Sequence, residues 1–359
     1  MLENYSQAFR RIEAWWHGDM IDRACIAFSV PKPGLEAQLD TIGLNRFWPS
    51  EDEEPLLEEL VDEFARLIDS RMYFGEAIPT IPHLYGARGT PMTIGAYLGG
   101  KVLFKPETVW IEPIIDDWDT FEVLFDPENR WWKYSCQLLE LSAKKSQGKY
   151  LTSMPDYGDA LTTFSLLRGN LELVYDIVDS KEKVVRARDQ FVALWKKCHQ
   201  ANWDVYRRAL PGDTSWLIWA PGKTYAAQCD FSVLLSPSLF EELVVPELEM
   251  LGEYVDYIVW HLDGPDEIKY LDRLLEIPEI KAIQWVPGAG KPTAVHWLDL
   301  LKRVQKAGKS LYVYAENETE VETLLRELSP RGLFISGGFT GKSVEEAEAL
   351  IKTVERLSV

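Results

Sequence analysis

The sequence of 359 residues has few cysteines and no long hydrophobic run. Cys25, Cys136, Cys198 and Cys229 include no closely spaced pair, which argues against a disulfide framework or a zinc ribbon and predicts reduced thiols. No apolar run is as long as a membrane span, and the first residues lack the apolar core of a signal peptide. We therefore expect a cytoplasmic protein with no membrane partner.

Positive charge is also scarce. The chain has 38 basic and 57 acidic residues, and its formal net charge at pH 7 is −19. Such a surface repels nucleic-acid phosphates and anionic lipids, so nucleic acid is not an expected partner. No GxGxxG motif follows a predicted strand, and no P-loop motif occurs. The composition favours a neutral or cationic small molecule, or a basic protein surface, as ligand.

Short β-branched or aromatic runs alternate with longer amphipathic segments, which is typical of repeated βα units around a parallel sheet. Eight such runs are candidate strands, at residues 25–30, 77–81, 149–154, 215–220, 257–263, 282–286, 310–316 and 333–337. Eight strands, each followed by a helix, predict an α/β fold of the (β/α)8 TIM-type barrel class, with an open sheet as the alternative. No linker-like segment divides the chain, so we expect residues 1–359 to form a single domain.

The first third of the chain is less regular. An acidic segment at 50–70 has apolar residues at helical spacing and predicts a helix with a solvated face. A Gly- and Pro-rich stretch at 82–127 predicts helical and hairpin-like insertions over the barrel mouth. In the more regular second half, Pro246 predicts a helix kink, and Ser343 with Glu346 predicts a capping box.

Barrel enzymes act at the carboxyl ends of their strands, where the following loops converge. His261 and Asp263 end the fifth predicted strand and, two positions apart, share one of its faces. The other candidates are Asp156 and Asp159 after the third strand, Lys223, Tyr225, Cys229 and Asp230 after the fourth, Gln284 and Trp285 on the sixth, and Tyr314 and Glu316 at the end of the seventh. We expect a polar, acidic and aromatic mouth.

His261 and Asp263 suit two kinds of chemistry. Imidazole and carboxylate bind zinc and other divalent metals, with Cys229 or Glu316 available to complete the ligand set. A carboxylate beside an imidazole also makes a proton-transfer pair, because it holds the ring in one tautomer. The alternative is a hydrogen-bonded pair that only organises the barrel rim.

Three other candidates have a structural alternative. Asp159 precedes an apolar helical segment and is as well suited to cap that helix as to bind a ligand. Cys229 fits a buried, inert thiol, since free cysteine is among the most buried residue types. Glu316 is either a pocket carboxylate or the start of a capping turn.

Five stretches of the chain, taken in their order and spacing, resemble the uroporphyrinogen decarboxylase superfamily, which includes the cobamide-dependent methyltransferases. They are IPHLYGARGTPMTIGAYLGG at 81–100, MPDYGDALTTFSLLRGNLELVYDIVDSKEKV at 154–184, CDFSVLLSPSLFEELVVPEL at 229–248, WHLDGPDEIKYLDRLLEIPEIKAIQWV at 260–286 and LFISGGFTGKSVEEAEALI at 333–351. The resemblance covers most of the chain after about residue 75 and implies the same (β/α)8 fold.

The methyltransferase branch has a zinc site made of a His-x-Cys-Gly motif on the fifth strand and a cysteine after the last strand. Here the first motif is His261-Leu262-Asp263-Gly264, and Gly338 stands near the position of the second thiolate. A metal site would therefore use nitrogen and oxygen ligands, for zinc or another divalent metal. The Arg-rich motif of the decarboxylase branch is missing after the first strand, so the resemblance does not extend to that activity.

The resemblance implies a methyltransferase that moves a methyl group between a small methylated compound and the cobalt of a partner corrinoid protein. In this role we expect His261, Asp263 and Glu316 to be catalytic, His261, Asp263 and Cys229 to bind a metal, and Asp156, Asp159, Lys223, Tyr225, Cys229, Asp230, Gln284, Trp285 and Tyr314 to contact the substrate. Aromatic walls suit a methylammonium-like or flat substrate. Homodimer formation is left open.

Two other functions fit the sequence. A glycoside hydrolase is one, because Trp-rich barrels with carboxylates at strand ends bind sugars, and Asp263 and Glu316 would be its acid and nucleophile. A barrel that binds a ligand without catalysis is the other, because the expected thiolates are replaced.

Overall fold

The computed structural model describes residues 5–35, 54–83, 93–104, 109–337, 339 and 342–359. The strands within these residues are β1 (Cys25–Pro31), β2 (Arg71–Gly75), β3 (Thr80–Ile81), β4 (Lys101–Phe104), β5 (Val109–Glu112), β6 (Leu151–Thr152), β7 (Asp213–Thr214), β8 (Trp219–Ala220), β9 (Thr224–Ala227), β10 (Tyr257–Asp263), β11 (Ile280–Val286), β12 (Ser310–Ala315) and β13 (Leu333–Gly337).

The α-helices in the same ranges are α1 (Ser6–Trp16), α2 (Leu57–Asp69), α3 (Thr93–Tyr97), α4 (Arg130–Ser146), α5 (Ala160–Arg168), α6 (Asn170–Asp179), α7 (Lys181–Tyr206), α8 (Pro237–Leu243), α9 (Val245–Gly252), α10 (Leu271–Glu276), α11 (Leu298–Lys306), α12 (Glu318–Glu327) and α13 (Val344–Leu357). Short 3-10 helices occur at Asp230–Leu234, Pro265–Tyr270 and Ala294–Trp297.

A seven-stranded sheet forms the centre of the fold, in the order β2-β1-β13-β12-β11-β10-β9. Neighbouring strands are parallel except for β2, which pairs antiparallel with β1 at one edge. Three two-stranded ladders accompany this sheet: β3 with β6 is parallel, whereas β4 with β5 and β7 with β8 are antiparallel. The fold is therefore α/β with a mostly parallel central sheet.

Alternate residues of the central strands belong to two separate apolar clusters, as expected for a sheet covered on both faces. Trp260 of β10 belongs to the larger cluster, which includes the helices that follow the strands. Its neighbour Val259 belongs to a smaller cluster with Trp15 of α1. Trp15 Nε1 donates a hydrogen bond to the carbonyl oxygen of Leu311, at 3.2 Å, so α1 covers the starting end of β12.

The last third of the chain follows the predicted pattern. The predicted runs coincide closely with β10, β11, β12 and β13. Helix α8 ends just before α9 begins, so the chain breaks next to Pro246 as predicted. Ser343 Oγ accepts from the backbone N–H of Glu346, and the Glu346 carboxylate accepts from that of Ser343, which completes the predicted capping box.

Three of the eight predicted strands were wrong in extent. The runs at 77–81 and 149–154 contain only the two-residue strands β3 and β6. The run at 215–220 keeps only β8, which pairs with β7 and lies outside the central sheet. Ser215 Oγ accepts from the backbone N–H groups of Leu217 and Ile218 and closes a tight turn inside this run.

Two strands of the central sheet were missed. Strand β9 takes the place beside β10, in a segment predicted as a loop. Strand β2 follows α2 after one residue and pairs with β1, where the Arg71 guanidinium bonds Ser29. Helix α2 confirms the predicted acidic helix over its described part. Helix α3 and the β4–β5 hairpin confirm that the stretch at 82–127 contains helical and hairpin-like structure. Residues 36–53, 84–92 and 105–108 lie outside the described residues.

In the described ranges, no helix is both long and apolar enough to span a bilayer. All four cysteines lie in these ranges and are free thiols, so the predicted lack of a disulfide framework is confirmed.

Candidate functional site

The centre of the candidate site is the carboxyl end of β10. Trp260 and Leu262 are buried against the helices, whereas His261 and Asp263 lie on the opposite face. Their side chains are 15% and 46% exposed. The alternation that the sequence predicted for this strand therefore brings an imidazole and a carboxylate to a solvent-reachable edge of the sheet.

Gln284 on the neighbouring strand β11 orients His261. The two residues are register partners, and Gln284 Oε1 lies 2.6 Å from His261 Nδ1. Since this amide oxygen only accepts hydrogen bonds, it keeps the proton of the neutral ring on Nδ1. The other nitrogen, Nε2, lies 3.9 Å from Asp263 Oδ2. His261 Nε2 is therefore the atom placed to give or take a proton.

Asp230 adds a second carboxylate beside His261. It begins the 3-10 helix after β9, and its side chain is exposed. Desolvation by the surrounding protein raises the pKa of Asp230, His261 opposes this shift, and Asp263 adds to it. The two carboxylates and the imidazole therefore interact electrostatically.

Asp156 follows β6 and is held by two hydrogen bonds. Its Oδ1 accepts from the backbone N–H of Gly158 and its Oδ2 from Gln228 Nε2, each at 3.1 Å. Burial raises the pKa of Asp156 to about 7, and nearby Asp230 contributes to the increase. A carboxyl group that exchanges its proton near neutral pH is suited to general acid–base catalysis.

Glu267 was not predicted as part of the site. This buried side chain accepts from Ser232 Oγ and from the backbone N–H of Asp263, each at 3.1 Å. Burial raises the pKa of Glu267 to about 8. Glu267 therefore holds the end of β10, which carries Asp263, from a buried position. In the sequence it looks like an ordinary acidic residue in the first turn of a helix, so nothing marks it as part of the site.

Trp216 was also missed. The ring of Trp216 stands edge-on to His261, with centroids 5.3 Å apart. Trp216 belongs to the turn between β7 and β8, inside a run predicted as a strand. Gln228 directly follows the unpredicted strand β9, so its contact with Asp156 had no sequence signal.

Asp159 and Cys229 lie away from the mouth. Asp159 Oδ1 accepts from the backbone N–H of Thr162 and caps α5, as the structural alternative predicted. Burial raises the pKa of Asp159 to about 6 and that of Cys229 well above its usual value. Glu247 shares this buried region through the backbone N–H of Ala160. Asp159 therefore has a structural role and Cys229 is a buried thiol, and neither side chain is placed for the predicted contact with substrate.

Tyr225 and Trp285 were wrongly expected in the aromatic wall. Both are buried in the cluster under the helices, on the face of the sheet opposite His261. Tyr225 donates to the carbonyl oxygen of Gly158, and Trp285 packs on Trp297 at 5.1 Å between centroids. Trp285 follows Gln284 on one strand, so the two side chains point to opposite faces.

Lys223 was also misplaced. It precedes the first residue of β9, at the end of the sheet opposite His261 and Asp263. Its Nζ donates to Gln200 Oε1 at 2.7 Å and lies 3.9 Å above the ring of Tyr254. Lys223 therefore lies away from the His261 site and is not placed to contact a substrate there.

Tyr314 and Glu316 lie at the carboxyl end of β12, as predicted. Both side chains are exposed, and Tyr314 is 49% exposed. The backbone N–H of Glu316 donates to Glu320 Oε2, and Asn317 caps α12. This confirms the capping turn and leaves the Glu316 carboxylate facing solvent.

The predicted metal ligands are not brought together. Cys229 is buried with the helix-facing residues, whereas His261 and Asp263 lie on the other face of the sheet. Among the described residues, no group of three His, Cys, Asp or Glu side chains has a geometry that could hold a metal ion. Gly338 lies outside the described residues. The predicted ligand set therefore does not fit zinc.

Comparisons with protein-family models and with curated proteins found no match to this chain. The resemblance to the uroporphyrinogen decarboxylase superfamily stays a prediction from the sequence.

Proposed function

We propose, first, that the strands close into one (β/α)8 barrel. Hydrogen bonds outside the central sheet support closure along the remaining arc. The backbone N–H of Glu76 donates to Ile26 of β1, that of Ser153 donates to Ile81 beyond the β3–β6 pair, and that of Met154 donates to Thr214 of β7. Asp213 Oδ2 then accepts from the backbone N–H of Thr224 at the start of β9. These contacts link β1 to β9 through the short strands.

We propose, second, that the mouth of this barrel is an active site in which His261 transfers a proton. The single observation that carries this proposal is the 2.6 Å contact between His261 Nδ1 and Gln284 Oε1, with Nε2 free toward Asp263 and solvent. Asp156, with a pKa raised to about 7 by burial, is the second proton carrier.

The surroundings of His261 favour a small neutral or cationic substrate. Asp230 and Asp263 supply negative charge, and the rings of Trp216 and Tyr314 supply apolar faces that attract cations. The net charge of −19 works in the same direction, because it repels anions. A methylated amine or another compact methylated compound has these properties.

The reaction we propose is methyl transfer from such a compound to the corrinoid of a partner protein. The corrinoid supplies the cobalt that accepts the methyl group. When the methyl group is transferred, the electrons of its broken bond stay on the donor atom of the compound as a lone pair, and an electron pair of the corrinoid's cobalt forms the new bond to carbon. Where the donor atom becomes anionic, His261 first takes a second proton from solvent at Nε2 and then gives that proton to this atom, and Asp156 exchanges a proton with the site near neutral pH. No step is assigned to a metal, because the predicted ligands do not fit one.

The two alternatives stay predictions. The glycoside hydrolase would use Asp263 and Glu316, which follow β10 and β12 with β11 between them. Two strand spacings, about 10 Å in total, therefore separate the two backbones.

The four free thiols suit a reducing compartment, and we propose a cytoplasmic location on this ground.

A donor screen tests the proposed reaction. The purified protein is mixed with cob(I)alamin and, separately, with tetramethylammonium, trimethylamine, methanol, a methoxyarene and dimethyl sulfide, and methylcobalamin formation is followed by absorbance. The proposal predicts enzyme-dependent methylation with at least one neutral or cationic donor. Failure with every donor, combined with cleavage of an aryl glycoside, would replace methyl transfer by the sugar alternative.

A further inference from the structure

A cavity of about 230 Å³ lies on the face of the sheet that also carries His261. Its lining comes from α1, from β1, β12 and β13, from the segment before β3, and from the turn between β7 and β8. Among the described residues, neither His261 nor Gln284 contributes to this lining. A volume of this size exceeds the roughly 150 Å³ of an engineered cavity that holds benzene. The space is therefore sufficient for a ligand of about one ring.

Several polar side chains of the lining already have hydrogen-bond partners. Thr214 Oγ1 bonds Tyr206, Thr80 Oγ1 donates to the carbonyl oxygen of Ile78, and Trp219 Nε1 donates to that of Pro211. Most hydrogen-bonding groups of the lining are thus already satisfied. The remaining surface consists mainly of Ile12, Ala27, Leu151, Leu217, Ile218 and Phe334.

The one carboxylate of the lining is neutralised. The Glu76 carboxylate accepts from Nη1 and Nη2 of Arg23, each at 2.8 Å. It also accepts from the backbone N–H of Ile26 and from the Arg11 guanidinium. Arg11 in turn pairs with Asp22 at 2.6 Å. Two guanidinium groups and two carboxylates therefore balance, and the cavity offers no net charge to a ligand.

Trp216 lies between this cavity and the candidate active site. It lines the cavity, and the centre of its ring lies 5.3 Å from that of His261 with the planes 82° apart. Its Nε1 is buried and has no hydrogen-bond partner within the described residues.

We propose that the cavity binds a compact, neutral, largely apolar ligand, and that Trp216 separates this compartment from the His261 site. The observations are the volume, the satisfied polar lining, the balanced charges and the position of Trp216. The inference does not depend on methyl transfer, since it concerns binding alone.

Binding of cyclohexanol tests the proposal. Its ring matches the volume, and the molecule carries no charge. Calorimetric titration of the full chain should show saturable binding at one site, whereas cyclohexylammonium and cyclohexanecarboxylate should bind at least about tenfold more weakly because the cavity would have to desolvate their charge. Equal binding of all three molecules, or no binding of cyclohexanol, would overturn the proposal.

Variants locate the binding. Ala27→Leu fills the cavity and should weaken cyclohexanol binding at least about tenfold, whereas Ala209→Leu on the exposed surface should leave it unchanged. Melting temperatures identify a variant that fails to fold, and Ala77→Leu then replaces Ala27→Leu as the cavity-filling change. Undiminished binding by the folded filled variant would place the ligand elsewhere and overturn the assignment.

Trp216→Ala tests the partition. The His261 ring resonance is assigned by its loss in His261→Asn. Cyclohexanol should leave this resonance nearly unshifted in the wild type and shift it in Trp216→Ala, because the two spaces become continuous. A large shift already in the wild type, or none in a Trp216→Ala protein that binds cyclohexanol, would contradict the role of Trp216.

Discussion

Gln284 Oε1 lies 2.6 Å from His261 Nδ1, across the parallel ladder that joins β10 to β11. This contact fixes the ring in one tautomer and leaves Nε2 directed toward Asp263. Proton transfer at His261 Nε2 requires that orientation of the ring.

Gln284→Ala should release His261 from this tautomer. In the wild type, nitrogen NMR of the neutral ring should show the proton on Nδ1, because the amide oxygen is an acceptor. In the variant, the proton should move in part to Nε2, the form that predominates in free histidine. Gln200→Ala, at the opposite end of the sheet, is the control. An unchanged tautomer in Gln284→Ala would mean that another group orients the ring.

Asp156→Asn should change the pH dependence of stability. The pKa of Asp156 in the folded protein is about 7, above its ordinary value of 3.8. Between these values the folded state binds more protons than the unfolded state, so the free energy of unfolding falls as the pH rises. The stabilising contribution is complete below about pH 4 and lost above about pH 7.

The variant cannot ionise at this position. It should therefore match the wild type near pH 4 and exceed its free energy of unfolding at pH 8 by at most about 4 kcal/mol. Urea titrations at the two pH values measure this difference, with Asp179→Asn on the exposed surface as control. Parallel curves for wild type and Asp156→Asn would contradict the raised pKa.

Glu267→Ala should destabilise the protein more than Glu267→Gln does. Alanine leaves the backbone N–H of Asp263 and the Ser232 hydroxyl without their acceptor in a buried place. We expect a loss of about 2–4 kcal/mol in the free energy of unfolding at pH 7. Glutamine can accept from Asp263 and donate to Ser232, so less than half of that loss should remain. Equal losses would show that side-chain volume, and not hydrogen bonding, sets the effect.

Cys229 should be unreactive in the folded protein. Cys25, Cys198 and Cys229 are buried, and Cys136 is partly exposed. Burial raises the pKa of all four thiols, which lowers the thiolate fraction. Ellman's reagent should therefore modify at most one thiol slowly in the native state and four after unfolding. Fast modification of Cys229, identified by mass spectrometry, would reopen its assignment to the site.

The strand β10 was predictable because its residues alternate clearly between apolar and polar. That alternation alone places His261 and Asp263 on one face. The same rule excludes Gln284 and Trp285 from sharing a face, and applying it would have removed Trp285 from the mouth.

The strand β9 was not predictable in the same way. Its sequence, TYAA, contains two alanines and lacks a run of β-branched residues. Without this strand, Lys223, Tyr225 and Cys229 were assigned to a loop, where the side chains have no fixed face. Only the tertiary pairing with β10 decides that Tyr225 is covered by helices and that Lys223 lies at the far end.

The most direct test compares His261→Asn with His17→Asn in the methylation of cob(I)alamin by the best donor from the screen. His17 is exposed and lies beside Tyr257, at the opposite end of the same strand, so it controls for loss of a histidine. Proton transfer by His261 predicts a rate at least about 100-fold lower in His261→Asn and an unchanged rate in His17→Asn. A folded His261→Asn protein with the wild-type rate would contradict the account.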